Sequence, residues 1–146
     1  RNTGHFSCRP WDGFFNFKSA TKSEIEKRFK LDLSTISNEG KTEKRFDFVF
    51  IGALGTIYAC ECNFYGSGGS KLNETARSYK ELALESRKIA GFEFDWFTDG
   101  IGWYAARHNL EGTFDVLINL YNINDLDNGV LNSLLEPTLM VSKMIK

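Results

Sequence analysis

The fold is decided by R-F-D-F-V-F-I-G (45–52) together with T-I-Y-A-C-E-C-N-F-Y (56–65). Both runs are rich in β-branched and aromatic residues, which is typical of β-strands. Only a short, glycine-containing turn separates them, so 45–64 predicts an antiparallel hairpin. Because nearly every position of both runs is apolar, we expect the hairpin to lie in a central sheet that is covered on both faces.

Downstream of the hairpin, G-S-G-G-S (66–70) predicts a flexible loop that leads into a helix. Apolar residues recur at helical spacing from Lys71 to Lys88, and Gly91 is expected to end that segment. The alternation of F-E-F-D-W-F (92–97) predicts a third strand. Three further helices are then expected, over 101–110, 113–120 and 130–145.

Upstream, residues 1–20 follow neither the helical nor the strand period. Ser23 is the expected N-cap of a short helix that contains Ile25 and Phe29, and residues 34–44 predict a loop. The order helix, strand, strand, helix, strand, helices predicts an α/β fold with a mixed central sheet flanked by helices. A chain of 146 residues suffices for one such domain.

The composition excludes two classes of protein. With 13 Phe, 3 Trp and 5 Tyr, the chain is far too aromatic for a disordered one. No uncharged apolar run approaches the roughly 20 residues of a membrane span, so no membrane partner is expected.

The net charge of −1 conceals a basic front (+4 over 1–45) and an acidic remainder (−5 over 46–146). This division suits a site that binds an anion and a divalent cation, although uneven surface charge explains it equally well.

The three cysteines do not form a familiar metal or redox motif. Cys60 and Cys62 stand in C-E-C, which is tighter than the CxxC spacing of zinc and disulfide sites, and Cys8 lies far upstream. We therefore expect buried free thiols in a reducing compartment, the cytoplasm, and no signal peptide is recognised.

Two acidic residues occupy strand positions where a carboxylate is costly. Asp47 and Glu61 lie on consecutive strands of the hairpin and are expected to be neighbours across it. A divalent ion such as Mg²⁺, or Mn²⁺, would remove their mutual repulsion. Asn63 shares the face of Glu61, and the carbonyl of Cys62 is a natural further ligand.

A structural interpretation of the same acids remains open. Asp47 and Glu61 could instead form an ion network with Lys44, Arg45 or Lys71.

Three stretches resemble one family. They are K-R-F-D-F-V-F (44–50), E-C-N-F-Y-G-S-G-G-S-K-L-N-E-T-A-R-S-Y-K (61–80) and F-D-W-F-T-D-G-I-G-W (94–103). Together they resemble the DpnII/MboI-type restriction endonucleases of the PD-(D/E)XK nuclease superfamily, over about residues 44–125. Members of that family are longer, so we expect 1–146 to be a single nuclease domain from a longer enzyme.

The resemblance implies a restriction-endonuclease-like core and Mg²⁺-dependent cleavage of double-stranded DNA at GATC by a homodimer in a bacterial or archaeal cell. By motif, Asp47 and Glu61 would be the metal-binding acids. Asn63 would fill the position of the usual lysine, but an amide carries no charge and cannot act as a base. Lys71, at the start of a helix where backbone N–H groups favour phosphate, is the expected replacement, unless it is only a solvated lysine.

The expected DNA-binding residues surround these groups. Main-chain N–H groups of a glycine-rich loop can approach a phosphate closely, although the loop could also be a plain connection. The residues predicted to contact DNA are Lys44, Arg45, Ser67, Gly68, Gly69, Ser70 and Arg77.

Two other functions compete with an active endonuclease. One is a catalytically impaired nuclease-fold fragment that binds DNA or assembles with a partner. The other is an unrelated α/β binding module in which Asp47 and Glu61 are structural.

Overall fold

A computed structural model gives the architecture of residues 17–40, 43–52 and 54–135. These residues form a five-stranded mixed sheet in the order β1-β2-β3-β4-β5, with helices on both faces. The α/β class predicted from the sequence is therefore confirmed. The strands are β1 (Phe17–Thr21), β2 (Arg45–Ile51), β3 (Ile57–Phe64), β4 (Phe92–Asp99) and β5 (Leu120–Tyr121). The helices are α1 (Lys22–Phe29), α2 (Ser70–Ser86), α3 (Arg107–Phe114), α4 (Ile123–Asp127) and α5 (Val130–Leu135).

The predicted hairpin is present as β2 and β3. The two strands pair antiparallel, with Val49 opposite Ala59, and the turn is closed by a hydrogen bond from the Gly52 N–H to the Thr56 carbonyl at 2.9 Å. Strand β1 adds an antiparallel edge beside β2. The sequence F-K-S-A-T (17–21) has no clear strand period and does not predict β1, which forms through its pairing with β2.

Helix α2 connects two parallel strands. It lies between β3 and β4, which pair along their whole length, with Glu61 opposite Trp96. The helix predicted over 71–88 and the strand predicted over 92–97 are both present, as α2 and β4, and β4 continues to Asp99. Both strands thus deliver their carboxyl ends to the same edge of the sheet, where Asn63 pairs with Thr98.

The helix predicted over 113–120 is wrong. Helix α3 ends at Phe114, and Leu120 and Tyr121 form β5, parallel to β4. The free edge of β4 needs hydrogen-bond partners, and Trp96 donates its backbone N–H to the Asn119 carbonyl at 2.9 Å. Tertiary pairing therefore overrides the local apolar pattern.

The start of α1 also differs from the prediction. Thr21, not Ser23, is the N-cap, and it forms a capping box with Glu24. Helix α4 was not predicted, and of the helix expected over 130–145 the described part is α5, while 136–145 lies outside the described residues.

The sheet separates two apolar cores. The larger one, which we call the first core, lies under α1, α2 and α3 and includes Phe46, Val49 and Trp96. The second core lies under α4 and α5 and is built on Phe50, Cys60 and Phe97. Within the described ranges, no helix is both long and apolar enough to cross a bilayer.

Candidate active site

Asp47 lies where the regular alternation of β2 is broken. Phe46 and Val49 both bury their side chains in the first core, although a regular pleat would place residues three apart on opposite faces. Beside this irregularity the Asp47 carboxylate accepts a hydrogen bond from the Cys62 backbone N–H, at 2.9 Å from Oδ2. The side chain thus replaces a ladder carbonyl, and an exposed Asp47 is held against the carboxyl end of β3.

Glu61 is buried and has a partner at each carboxylate oxygen. Its Oε1 accepts from the Lys44 ammonium group in a short ion pair, and its Oε2 accepts from the Tyr79 hydroxyl at 3.0 Å. Burial raises the pKa of Glu61 and the nearby charge of Asp47 adds to the rise, while Lys44 and Tyr79 oppose it. The structure therefore brings the two predicted acids together, as expected for consecutive strands.

Of the three cations considered as partners for these acids, the structure selects Lys44. Its side chain is only 14% exposed, and its Nζ lies 5.1 Å from the ring centre of Phe46 and 5.5 Å from that of Tyr79. Lys44 therefore belongs to the candidate site, and its predicted contact with DNA stays a prediction. Arg45 instead donates to the Ser19 carbonyl, on the neighbouring edge strand.

Asn63 shares the face of Glu61, as the strand period predicts, and its amide is held in one orientation. Its Oδ1 accepts from the Trp96 indole N–H at 2.7 Å. Because an indole N–H can only donate, the amide oxygen must face Trp96, and the NH₂ group is left to donate elsewhere. Burial and the charge of Glu61 raise the pKa of the Tyr79 phenol, and the nearby amide of Asn63 only partly offsets that rise. Tyr79 is therefore a protonated donor at neutral pH.

Lys71 is not brought to the two acids. It lies exposed in the first turn of α2, and the structure gives its ammonium group no hydrogen bond or ion pair with another described residue. The predicted loop residues Ser67, Gly68, Gly69 and Ser70 are exposed beside it, and Arg77 is exposed farther along α2.

The glycine-rich loop is anchored at its start rather than freely flexible. Tyr65 donates its N–H to the Asp99 carbonyl and accepts at its own carbonyl from the Gly102 N–H, both at 2.9 Å. A Cβ atom at Gly102 would lie 2.3 Å from the Ser67 carbonyl oxygen, so only glycine permits this approach. The T-D-G-I-G-W stretch therefore positions the loop that begins α2.

The two described cysteines are free, and both face the second core or the cavity beside it. Cys60 is buried, as expected, whereas Cys62 is exposed, which corrects the prediction of buried thiols; Cys8 lies outside the described residues. Burial raises the pKa of the Cys62 thiol to about 11, so the thiol is protonated at neutral pH. Because this side chain faces away from Glu61, the backbone carbonyl of Cys62 is the group that could serve a metal beside the two acids.

The donor set suits a hard divalent cation. Within the part of the chain that the structure describes, no group of three or more His, Cys, Asp or Glu side chains could hold a metal. Two coupled carboxylates and a carbonyl remain, and Mg²⁺ commonly takes one or two carboxylates together with water and phosphate oxygens. Glu61 can offer Oε1 to a cation only if Lys44 is displaced from that oxygen.

Asp95 is a buried acid that was not predicted from the sequence. It lies in β4 beside Cys60 of β3, and neither of its carboxyl oxygens has a hydrogen-bond partner in the described structure. In F-E-F-D-W-F its position looks solvent-facing, and only the packing of α4, α5 and β5 on that face buries it. The weak signal for this burial is that its strand neighbour, Cys60, also lies in an apolar run.

Asp99 and Trp103, at and just after the end of β4, have structural roles. Asp99 accepts from the backbone N–H groups of Gly100 and Ile123, which places it at a turn and at the start of α4. Trp103 is buried in the first core, and Tyr104 is exposed.

Comparison with known proteins gives a consistent result. The DpnII restriction endonuclease family matches residues 12–133. The chain is 55% identical over 118 residues to the type II restriction enzyme DpnII of Streptococcus pneumoniae, covering 81% of this chain and 41% of that protein. It is 37% identical over 114 residues to the type II restriction enzyme MboI of Moraxella bovis, covering 77% and 39% of the two chains. With the type II restriction enzyme MjaIII of Methanocaldococcus jannaschii the identity is 34% over 118 residues, covering 80% and 39%.

The chain spans about two fifths of the length of the curated relatives it matches. No solved structure matches it.

Proposed function

This chain belongs to the DpnII restriction endonuclease family, and we propose that it hydrolyses phosphodiester bonds of double-stranded DNA as a Mg²⁺-dependent type II endonuclease of the PD-(D/E)XK kind. Recognition of GATC, action as a homodimer, and a cytoplasmic location in a bacterial or archaeal cell are proposed with it, from the family resemblance.

The observation that carries the proposal is the convergence of Asp47 and Glu61. Two carboxylates from adjacent strands lie close enough for the charge of one to raise the pKa of the other. The Asp47 carboxylate is exposed at the carboxyl end of β3 and is fixed there by Cys62. Such a pair, open to solvent on one side, suits a cation that bridges protein and phosphate.

Asp47, Glu61 and the Cys62 carbonyl would hold the metal ion. When bound, Mg²⁺ supplies charge stabilisation at the phosphate and acidifies a water molecule. The NH₂ group of Asn63 can donate to a phosphate oxygen or to the attacking water, because Trp96 already engages the amide oxygen. Tyr79 holds Glu61 in place through its hydroxyl.

The exposed start of α2 is the proposed contact with the DNA backbone. Backbone N–H groups of the first turn carry partial positive charge, and the anchored loop of residues 66–69 lies directly before them. Lys71 in that turn and Arg77 farther along the helix would add positive charge. Arg45 is exposed on β2, shortly before Asp47 in the chain, and is a further candidate for contact with the backbone.

The direct test is nicking of supercoiled plasmid that contains GATC sites, with Mg²⁺ or with EDTA. Asp47→Asn and Glu61→Gln should each slow cleavage by at least about 100-fold, the scale on which a single group acts in a transition state. Asp127→Asn in α4, an exposed acid outside the site, is the matched control and should cut at the parental rate. Cleavage that persists in EDTA, or in either site variant, would reject the metal-dependent mechanism.

A second candidate is a catalytically impaired nuclease-fold fragment that binds DNA or assembles with a partner. It is favoured by the engagement of both Glu61 oxygens, one by Lys44 and the other by Tyr79. Retained DNA binding in Ca²⁺ without any nicking in Mg²⁺ would support this candidate over the enzyme.

A further inference from the structure

The carboxylate of Glu61, one of the two acids of the candidate site, forms an ion pair with Lys44. The ammonium group is directly paired with Oε1, and both side chains are largely buried, with 14% and 8% exposed. A pair removed from water in this way is screened little by salt, and each member depends on the other for compensation. Lys44 therefore matters to the electrostatics of Glu61 far more than a surface lysine would.

Lys44 is also held by its surroundings. Its Nζ faces the rings of Phe46 and Tyr79 at 5.1 and 5.5 Å, which is within the range of cation–π attraction. Tyr79 donates to the other oxygen of the same carboxylate. Glu61 thus has one cationic and one neutral donor, and its negative charge is balanced without a metal ion.

A divalent cation needs the same oxygen atoms. Glu61 Oε1 cannot accept fully from Lys44 and also bind a metal at 2.0–2.1 Å, the distance that Mg²⁺ requires. The E-x-N sequence carries no lysine next to Glu61 on its own strand, so the cation near that carboxylate comes from residue 44, just before β2. Binding of a metal ion to Glu61 must therefore exchange the Lys44 ammonium group for the divalent cation.

We propose that Lys44 is the resting counterion of Glu61, and that a divalent cation binds the Asp47–Glu61 pair by displacing it. Lys44 is in this sense a positioning residue: it keeps the buried carboxylate charged and in place until the metal arrives. The inference rests on the proposed metal site, and it adds that the affinity of this site is set by competition with a residue of the same chain.

The test is binding of Ca²⁺, which occupies such sites without supporting cleavage, measured by calorimetry together with the shift in melting temperature. Lys44→Met keeps the length of the side chain and removes its charge. We expect this variant to melt at a lower temperature than the parent without Ca²⁺. We also expect it to bind Ca²⁺ about ten-fold more tightly, because loss of a buried ion pair removes at least that much competition. Its melting temperature should accordingly rise more with Ca²⁺ than that of the parent.

Two further variants complete the design. Lys88→Met removes an exposed lysine beyond α2 and should leave Ca²⁺ affinity unchanged. Lys44→Gln can still donate a hydrogen bond to Glu61 but carries no charge, and it should bind Ca²⁺ more tightly than the parent by a smaller factor. If Lys44→Met does not fold with or without Ca²⁺, Lys44→Gln decides by the same criterion.

An unchanged or weaker affinity in the folded Lys44 variants would overturn the inference, because a merely structural lysine predicts no tighter binding. The proposed function fails differently. If the proposed function is wrong, neither the parent nor any variant binds Ca²⁺, and the parent does not nick plasmid in Mg²⁺. If the parent binds Ca²⁺ and cuts DNA, but the Lys44 variants have the same Ca²⁺ affinity as the parent, only the counterion role of Lys44 is rejected.

Discussion

At the scale of single residues, the carboxyl group of Asp95 stands out because neither of its buried oxygens has a hydrogen-bond partner among the described residues. The side chain is 0% exposed, and burial, with a contribution from the charge of Glu93, raises its pKa to about 8, while Asn119 opposes the rise only in part. Asp95 is therefore protonated in the folded protein at neutral pH. In the unfolded chain it ionises near its ordinary value of 3.8.

This shift makes stability depend on pH in a defined direction. Between about pH 4 and pH 8 the folded state retains a proton that the unfolded state has lost, so stability falls as the pH rises, by at most about 1.4 kcal/mol per pH unit. Asp95→Asn, which cannot ionise, should abolish this part of the slope and be more stable than the parent at pH 8. Urea unfolding at several pH values across that window measures both curves.

Glu61 contributes a slope of the same sign, because its pKa is also raised, so the difference between the two curves isolates Asp95. Parallel curves for the parent and Asp95→Asn would show that Asp95 is not protonated in the folded state.

The bond between Trp96 and Asn63 should be measurable as a coupling energy. Trp96 is fully buried, and its indole N–H donates to the Asn63 Oδ1 at 2.7 Å. In a double-mutant cycle with Trp96→Phe and Asn63→Ala, we expect a coupling of about 0.5–3 kcal/mol from the free energies of unfolding. Strict additivity of the two single effects would contradict a fixed amide orientation.

Some of these residues could be predicted from the sequence and others could not. The shared face of Glu61 and Asn63 follows from the strand period alone, and their neighbour Asp47 follows from the hairpin. The choice of Lys44 over Arg45 or Lys71 depends on where long side chains reach in space, which no local pattern records. Asp95 escaped notice because its cover comes from α4 and α5, more than 25 residues away in the chain.

At the scale of elements, the packing of the loop at residues 65–67 against residues 99–102 can be tested with a pair of glycines. In Gly102→Ala the added methyl group would lie 2.3 Å from the Ser67 carbonyl oxygen, so the loop before α2 must move. We expect a loss of more than about 2 kcal/mol in unfolding free energy, as for other overpacked sites, together with weaker DNA binding.

Gly66→Ala is the control for this prediction, because no atom lies within 4 Å of its added Cβ. Equal stability of the two variants, measured by thermal or urea unfolding, would mean that the loop is not anchored there.

The elements that could be predicted are those whose signal is local. The residue pattern of the hairpin strands is typical of β-strands, and the spacing of apolar residues in α2 is typical of a helix. Strands β1 and β5 were missed because each is a short edge strand, stabilised by hydrogen bonds to β2 or β4 rather than by its own sequence. The same cause misplaced the helix predicted over 113–120, since residues that suit a helix locally are used to complete the sheet.

At the scale of the whole molecule, the exposed cations of α2 are separate from the acids of the candidate site. The acids of the site are partly neutralised from within by Lys44, and the exposed cations at the start of α2 lie outside that pair. The net charge of −1 does not oppose DNA binding, since the cations that matter are local.

This arrangement predicts how DNA binding depends on salt. Each phosphate contact made by a cation releases counterions, so the logarithm of the binding constant should fall linearly with the logarithm of salt concentration, with a slope of about −0.9 per contact on duplex DNA. Arg77→Gln should weaken binding about equally for GATC and unrelated duplexes and should make the slope shallower by about 0.9. Anisotropy titrations in Ca²⁺ over a range of salt give both quantities. Lys88→Gln, beyond the end of α2, should leave the slope unchanged, and an unaltered slope in Arg77→Gln would move the DNA path away from this helix.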